Sequence, residues 1–169
     1  MKANILSIVG NSNSGKTTLL EKLIRNLRDK GFKVGCAKHA HKGFEMDKEG
    51  KDSWRLRKAG ANTLLVGPSD IALVRDRSEA IMEDLDRCLG DMDLVLLEGF
   101  KSHHFPKIEI FRTHSGHTEP LHLWDGTLAG FVTDSGYRPD VPVFGIDDIA
   151  PLCRFIEKEF IRKNGGKQL

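Results

Sequence analysis

The sequence contains no apolar run long enough to cross a membrane, and it has few cysteines. A spanning helix needs about 18 apolar residues, and the N-terminal run Ile5–Gly10 is too short even for the apolar region of a signal peptide. The three cysteines, Cys36, Cys88 and Cys153, lie far apart without a Cys-x-x-Cys pair. Such a set is typical of reduced thiols rather than of a disulfide framework or a zinc site. We therefore expect a cytoplasmic protein that is not bound to a membrane.

The sequence also lacks a large excess of positive or of negative charge. The 169 residues carry a formal net charge of +2, with 30% charged and 39% hydrophobic residues. This balance is typical of globular proteins and argues against disorder. A net charge this small does not predict a nucleic-acid partner. The length is that of one ordinary domain, so we predict a single domain over residues 1–169. The phosphate-loop motif described below makes this a predicted nucleotide-binding domain.

Apolar strand-like runs alternate with helix-like periodic segments along the chain. Asn4–Val9 and Lys33–Lys38 flank a helical leucine pattern that ends before Gly31, which predicts a strand–helix–strand unit with a right-handed crossover. Further strands are predicted at Asn62–Val66, Ile71–Arg75, Asp93–Leu97, Lys107–Phe111 and Leu128–Thr133. Further helices are predicted from Asp52 or Ser53 to Ala59, over Glu79–Leu89 with Ser78 as cap, and from Asp147 or Asp148 onward. The pattern predicts an α/β fold with a mostly parallel sheet flanked by helices.

Residues 10–17 match the phosphate-loop pattern Gly-x-x-x-x-Gly-Lys-[Ser/Thr] without a gap. Glycines let backbone N–H groups turn toward phosphate oxygens, and the following helix adds its positive end. Lys16 can reach the β- and γ-phosphates, and Thr17 can offer its hydroxyl to Mg²⁺. The loop therefore predicts binding of a nucleoside triphosphate with Mg²⁺. The predicted nucleotide-binding residues are Gly10, Asn11, Ser12, Asn13, Ser14, Gly15, Lys16, Thr17 and Thr18.

Acidic residues are expected near the metal of such a site. Glu98 follows the apolar strand Asp93–Leu97, at the end where ligands gather in open α/β sheets. It can bind Mg²⁺ or orient an attacking water, or it can simply cap the loop. We predict that Lys16 and Glu98 act on the triphosphate. Asp47, in the polar loop 39–51, is a candidate second metal ligand.

Four histidines and the carboxylate of Asp134 each have more than one interpretation. His39 and His41 are two positions apart, which is a weak zinc signal, and His103 and His104 share the ambiguity between metal binding and anion contact. Asp134 ends a strand, where it could accept hydrogen bonds from guanine N1–H and the 2-amino group or serve as a turn residue. The Asn-Lys-x-Asp guanine motif is absent, so the residues alone do not decide the base.

Several strings together resemble the molybdopterin-guanine dinucleotide biosynthesis protein B (MobB) family. In order, they are GNSNSGKTT, KHAH, GKDSWRLRKAGA, LLEGFK and VTD, spread over roughly residues 5–134. The phosphate loop alone occurs in many unrelated proteins, whereas the combination of GKDSWRLRKAGA with LLEGFK is much more specific. The chain departs from the expected KHxHH-type string at Lys42, where a histidine is absent.

The resemblance implies a P-loop NTPase-like three-layer fold that binds GTP and Mg²⁺. It also implies a homodimer that assists conversion of molybdopterin to molybdopterin guanine dinucleotide beside a separate molybdopterin nucleotidyltransferase, with a molybdopterin-related ligand as a possible second partner. Lys16 and Thr17 would then bind phosphate and Mg²⁺, Asp47 and Glu98 would lie near the metal, and Asp134 would recognise the base. No arginine is evident in the loop, and unassisted P-loop GTPases are slow, so we expect weak hydrolysis.

Two other functions and one further site fit parts of the sequence. A small-molecule kinase of the P-loop fold would use the loop 39–51 as a lid, although that loop lacks arginine. A metallochaperone-type G protein would deliver a metal through the histidines. The basic segment Arg55–Lys58 is either a solvated helix face or a second anion site.

Overall fold

The computed structural model describes residues 4–40, 43, 48–121 and 126–162. Its strands are β1 (Asn4–Val9), β2 (Val34–Lys38), β3 (Thr63–Val66), β4 (Ile71–Val74), β5 (Leu94–Glu98), β6 (Lys107–Phe111), β7 (Leu128–Thr133) and β8 (Val143–Phe144). Its helices are α1 (Lys16–Asp29), α2 (Asp52–Lys58), α3 (Ile81–Leu89) and α4 (Ile149–Ile156), and a π-helical turn, Glu157–Arg162, follows α4.

Six of the strands form one sheet in the order β2-β5-β1-β6-β7-β8. Every pairing in that sheet is parallel. All of these strands therefore end at the same edge, and the segments that follow β1, β5, β6 and β7 meet there. This arrangement confirms the predicted mostly parallel sheet and creates the edge at which ligands bind in open α/β folds.

The core lies between the sheet and the helices α1 and α4. Leu6 and Ile8 of β1 pack with Leu23 and Leu27 of α1, and all four are fully buried. Burying each such side chain contributes about 1.5–3 kcal/mol. Helix α1 ends where Gly31, with φ 91°, closes the last turn. Its N–H and that of the next residue then satisfy two terminal carbonyls, as in other glycine-ended helices. The core thus fixes α1, and with it the loop that precedes α1.

Two predicted helix caps are wrong. Helix α3 begins at Ile81 rather than at residue 79, and Ser78 lies outside it. The N–H of Ser78 donates to Asp84 Oδ2 at 3.1 Å, so the residue is held by a side chain of α3 instead. Helix α2 begins at Asp52 itself, with Lys51 at the cap position and no side-chain cap bond. The final helix, predicted from Asp147 or Asp148 onward, begins at Ile149, with Asp148 at the cap position and no side-chain cap bond.

The chain divides into two compact units. One comprises residues 1–39 and 85–169 and contains the six-stranded sheet. The other comprises residues 40–84 and contains α2 and the antiparallel hairpin β3–β4. The prediction of a single domain over residues 1–169 stays a prediction. Within the described parts of the chain, no helix is both long and apolar enough to cross a membrane.

Two charged side chains are buried on β6, where sequence patterns predict apolar ones. Lys107 is fully buried, and its Nζ donates to His103 O at 2.7 Å and to Thr127 Oγ1 at 2.6 Å. Glu109 is 1% exposed and accepts the N–H of Leu121 at 2.5 Å. Buried charges are tolerated when they are hydrogen-bonded in this way. Together they tie the segments on either side of β6 to the sheet.

Candidate nucleotide-binding site

The phosphate loop follows β1 and turns sharply at its first glycine. Gly10 has φ 154°, and a Cβ there would collide with the carbonyl oxygen of Ile110 and lie 2.7 Å from Ser14 Oγ. Gly15 has φ 89° and occupies the cap position of α1. Both positions demand a residue without a side chain. The glycine spacing seen in the sequence therefore reflects backbone geometry that this loop requires.

The side chain of Lys16 lies across the opening of the phosphate loop. As the first residue of α1 it lies in the turn whose N–H groups lack intrahelical partners, so the positive end of the helix adds to its charge. Its Nζ donates to Asn11 O at 2.6 Å and to Gly10 O at 3.3 Å. Burial lowers the pKa of Lys16, the positive charges of Lys101 and Lys38 lower it further, and Glu98 opposes them. A bound phosphate would supply the missing negative charge.

A polar atom inside the loop also lacks a partner. Ser14 is fully buried, and among the described residues its Oγ has no hydrogen-bond partner. Buried hydroxyls are nearly always hydrogen-bonded in folded proteins. The hydroxyl lies beside the turn at Gly10, where it can donate to an anion held by the loop. The interior of the loop is thus chemically suited to phosphate.

The predicted metal-binding pair meets beside the loop. Glu98 ends β5, in register with Ile8 of β1 on one side and with Lys38 of β2 on the other. Thr17 Oγ1 donates to Glu98 Oε1 at 3.3 Å, and Lys38 Nζ lies 3.3 Å from the same oxygen. The Glu98 side chain is only 14% exposed. A hydroxyl and a carboxylate converge here, as a hard divalent cation requires.

The strand end that carries Glu98 is held firmly. Ser7 Oγ donates to Gly99 O at 2.8 Å, and the N–H of Gly99 donates to Ile8 O at 3.0 Å. The N–H of His39 donates to Glu98 O at 3.1 Å. These bonds come from β1 and from the residue that follows β2, so the position of Glu98 does not depend on its own loop.

Two predicted residues, Asp47 and His41, lie outside the described residues. Of the other histidines, His39 stacks on Phe100 with ring centroids 5.1 Å apart, and His103 meets the edge of the same ring at 5.3 Å. Within the described ranges, no three of the His, Cys, Asp and Glu side chains group as a metal site would require. His39 and His103 therefore pack as aromatic rings beside the end of β5, whereas His104 is exposed.

Asp134 follows β7 directly, at the same edge of the sheet. Its Oδ1 accepts the N–H of Thr113 at 2.9 Å, and its Oδ2 lies 3.4 Å from Arg112 Nε. Partial burial alone would raise the pKa of Asp134, but the hydrogen bonds from Thr113 and Arg112 and the charge of Arg112 outweigh it and lower the pKa. An ionised carboxylate is the form that accepts hydrogen bonds from a base.

Arg112 is a site residue that the sequence analysis missed. It follows β6, and its Cδ and Nη1 lie 3.8 Å from the position of a Cβ on Gly15. The available signal was a basic residue immediately after a strand that ends beside the phosphate loop. The basic segment on α2 is different, because Arg55 lies 3.7 Å from Asp52 and Lys58 lies 5.5 Å from the centre of the Trp54 ring. Those contacts favour a solvated helix face.

The parallel sheet, the glycine-bounded loop between β1 and α1, and the carboxylate at the end of β5 define a protein of the P-loop NTPase-like fold. The model of the family described as MobB, molybdopterin guanine dinucleotide synthesis protein B, matches residues 5–134. The chain belongs to the MobB family, which confirms the resemblance found in the sequence.

Individual relatives cover nearly the whole chain. The molybdopterin-guanine dinucleotide biosynthesis adapter protein of Escherichia coli K12 is 35% identical, over 95% of each chain. The protein of the same name from Haemophilus influenzae is 38% identical, over 96% of this chain and 93% of its own. The crystal structure of a molybdopterin-guanine biosynthesis protein B is similar with a TM-score of 0.71 and 31% identity, over 91% of this chain and 97% of that one. The predicted three-layer fold is confirmed.

Proposed function

We propose that this protein is a GTP- and Mg²⁺-binding adapter in the biosynthesis of molybdopterin guanine dinucleotide, acting beside a molybdopterin nucleotidyltransferase in the cytoplasm. The observation that carries the nucleotide part is the convergence of Lys16, Thr17 and Glu98 at the phosphate loop. Its family and the adapter proteins of E. coli and H. influenzae, which match along nearly the full chain, support the biosynthetic part.

The donor set beside the loop is suitable for Mg²⁺. This ion takes oxygen ligands in near-octahedral geometry and retains several waters alongside substrate phosphates. Thr17 and Glu98 would hold it, directly or through water, and the bound ion would neutralise charge on the phosphates. Lys38 shares the same carboxylate oxygen and would have to move aside or pair with the other oxygen.

Hydrolysis by the isolated protein is expected to be slow. Fast P-loop GTPases use an arginine beside the transferred phosphate and a residue that orients water. The phosphate loop itself, residues 10–17, contains no arginine. Glu98 remains the candidate for orienting water. We propose that the nucleotide chiefly sets the binding state of the adapter.

A homodimer is supported by the exposed face of the β3–β4 hairpin. Cross-strand partners Leu64 and Leu73 are 55% and 50% exposed, and the next pair on that face, Val66 and Ile71, is 73% exposed at both positions. An isolated hairpin is marginally stable, and contiguous exposed apolar surface marks an interface. A second copy presents the same patch, as two-fold dimers require.

No observation favours the two alternative functions. A metallochaperone would need a metal-ligating cluster, and the described residues bring together no three suitable side chains. A small-molecule kinase would need an arginine-rich lid, and the loop 39–51 contains no arginine.

Reconstitution tests the proposal. Molybdopterin, GTP, Mg²⁺ and a molybdopterin nucleotidyltransferase are combined with this protein, and the dinucleotide formed is measured over time. The native protein should increase the yield, and Lys16→Ala should not, because it lacks the cation that holds the triphosphate. Lys33→Ala, an exposed lysine at the opposite end of the sheet, should behave as the native protein. Equal yields with Lys16→Ala and the native protein would refute the proposal.

A further inference from the structure

One side chain contacts both ends of the proposed nucleotide site. Arg112 Nε lies 3.4 Å from Asp134 Oδ2, at the end assigned to the base. Arg112 also lines a small cavity of about 30 Å³ with Gly15 and Thr18, which belong to the phosphate end. Because β6 lies between β1 and β7, a residue that follows β6 is placed between the two ends.

The guanidinium of Arg112 has donors to spare. Arginine offers five N–H donors in a planar fork. Among the described residues, its one hydrogen bond runs from Nε to Asp134, so the donors on Nη1 and Nη2 are unused. The side chain is 42% exposed and can therefore move. A planar fork of this kind matches phosphate oxygens with two parallel hydrogen bonds.

The acceptors of Asp134, in contrast, are largely taken. Oδ1 accepts both the N–H of Thr113 at 2.9 Å and its hydroxyl at 3.3 Å, and Oδ2 accepts Arg112. Guanine presents N1–H and a 2-amino group side by side, which together require both carboxylate oxygens. Of the present donors, only the backbone N–H of Thr113 is fixed. The Thr113 hydroxyl has a second partner in His114 Nδ1 at 2.9 Å and can leave Oδ1. The 3.4 Å bond from Arg112 to Oδ2 is long and comes from a flexible side chain.

We propose that Arg112 exchanges partners when GTP binds, giving up Asp134 to the guanine base and turning its guanidinium to a phosphate of the same nucleotide. This inference rests on the proposed function, since it requires GTP in the loop and guanine at Asp134. Guanosine has to break the Arg112–Asp134 contact without compensation, whereas GTP replaces it with phosphate contacts. Arg112 is thus a specificity-determining residue that favours phosphorylated guanine nucleotides over the bare nucleoside.

The test compares guanosine with GTP on Arg112→Ala, by displacement of a fluorescent GTP analogue in the presence of Mg²⁺. Guanosine should bind about two- to fivefold more tightly, because an exposed ion pair no longer competes for Asp134. GTP should bind roughly 10- to 100-fold more weakly, because charge-assisted hydrogen bonds to phosphate are lost. Arg112→Lys should recover part of the GTP affinity. Arg25→Ala, an exposed arginine on α1, should change neither affinity.

Tighter binding of guanosine together with weaker binding of GTP by Arg112→Ala supports the exchange of partners. A loss by the same factor for both would make Arg112 a structural support, and no change for either would remove it from the site; both results overturn the proposal. Lys16→Ala separates this failure from a failure of the proposed function. If Lys16→Ala abolishes GTP binding while Arg112→Ala affects both ligands alike, the exchange alone is wrong. If Lys16→Ala leaves GTP binding intact, both the proposed nucleotide site and the exchange of partners by Arg112 are wrong.

Discussion

Thr17 Oγ1 donates a hydrogen bond to Glu98 Oε1 at 3.3 Å, although the two residues are 81 positions apart in the sequence. Neighbouring oxygens around an octahedral Mg²⁺ with bonds of about 2.0–2.1 Å lie roughly 2.9 Å apart. The observed separation is therefore close to that of two oxygens sharing one ion. Strands β1 and β5 are adjacent and parallel, so the start of α1, which follows the loop after β1, lies beside the end of β5 that carries Glu98.

Glu98→Gln should change the dependence of GTP binding on Mg²⁺. With Mg²⁺ present, GTP affinity should fall by about tenfold or more, since a ligand or partner of the ion is weakened. With Mg²⁺ removed by a chelator, the affinity should stay equal or rise, because a negative charge near the triphosphate is gone. Calorimetric titration in both conditions measures this. Glu83→Gln, an exposed glutamate on α3, serves as the control, and a loss of equal size with and without Mg²⁺ would count against the metal site.

Triphosphate binding should weaken at alkaline pH because of Lys16. Burial, and then the charges of Lys101 and Lys38, lower the pKa of Lys16 below its ordinary 10.5 in the free protein. Bound phosphate favours the cation and raises that pKa again. At a pH between the pKa of Lys16 in the free protein and its pKa in the bound protein, phosphate binding takes up a proton. The affinity for phosphate therefore falls by up to about tenfold per pH unit as pH rises above the pKa of Lys16 in the free protein. Inorganic tripolyphosphate, which has no ionisable base, is the suitable ligand. An affinity that stays constant up to pH 10.5 would contradict the assignment.

Gly10→Ala should destabilise the protein even without nucleotide. Its Cβ would collide with the carbonyl of Ile110, and φ 154° is strained for a residue with a side chain. Strain of this kind costs about 1–3 kcal/mol, with the steric shift in addition. Gly136→Ala is the matched control, because a Cβ there meets no atom within 4 Å. Chemical denaturation should separate the two variants. Equal free energies of unfolding would show that the tight turn at Gly10 is not required.

Val66→Lys should dissociate the proposed homodimer, because it places a charge within the apolar hairpin face. The expected loss is at least about tenfold in the association constant, as for a charge buried without a partner. Sedimentation velocity measures the change. Met82→Lys, at an apolar position of α3 that is 40% exposed, is the control. If the two variants have the same mass as the native protein, the hairpin is not the interface.

Much of this site was predictable from sequence because its signals are local or follow from topology. Gly10 and Lys16 belong to one contiguous motif. Glu98 could be placed because a buried parallel strand has a recognisable apolar run, and strand ends in such a sheet converge.

The remaining features depend on contacts that no local pattern encodes. Strand β8 is two residues long, which is too short for a periodic signal. Ser78 is of a residue type that caps helices, yet its N–H donates to the side chain of Asp84 and Ser78 lies outside the helix. Arg112 contacts Asp134 because of the directions that their side chains take in two separate loops. The sequence pattern predicts only that each residue follows a strand, and the structure shows that the two strands are neighbours.

Recognition of guanine by Asp134 is measured by calorimetric titration of the native protein with GTP and with ATP in the presence of Mg²⁺. We expect GTP to bind roughly 10- to 100-fold more tightly than ATP, since adenine cannot donate two hydrogen bonds to Asp134. Asp134→Asn should remove most of that preference and favour xanthosine triphosphate, whose 2-oxo group can accept from the new amide. Equal affinities of the native protein for GTP and ATP would show that Asp134 does not recognise guanine.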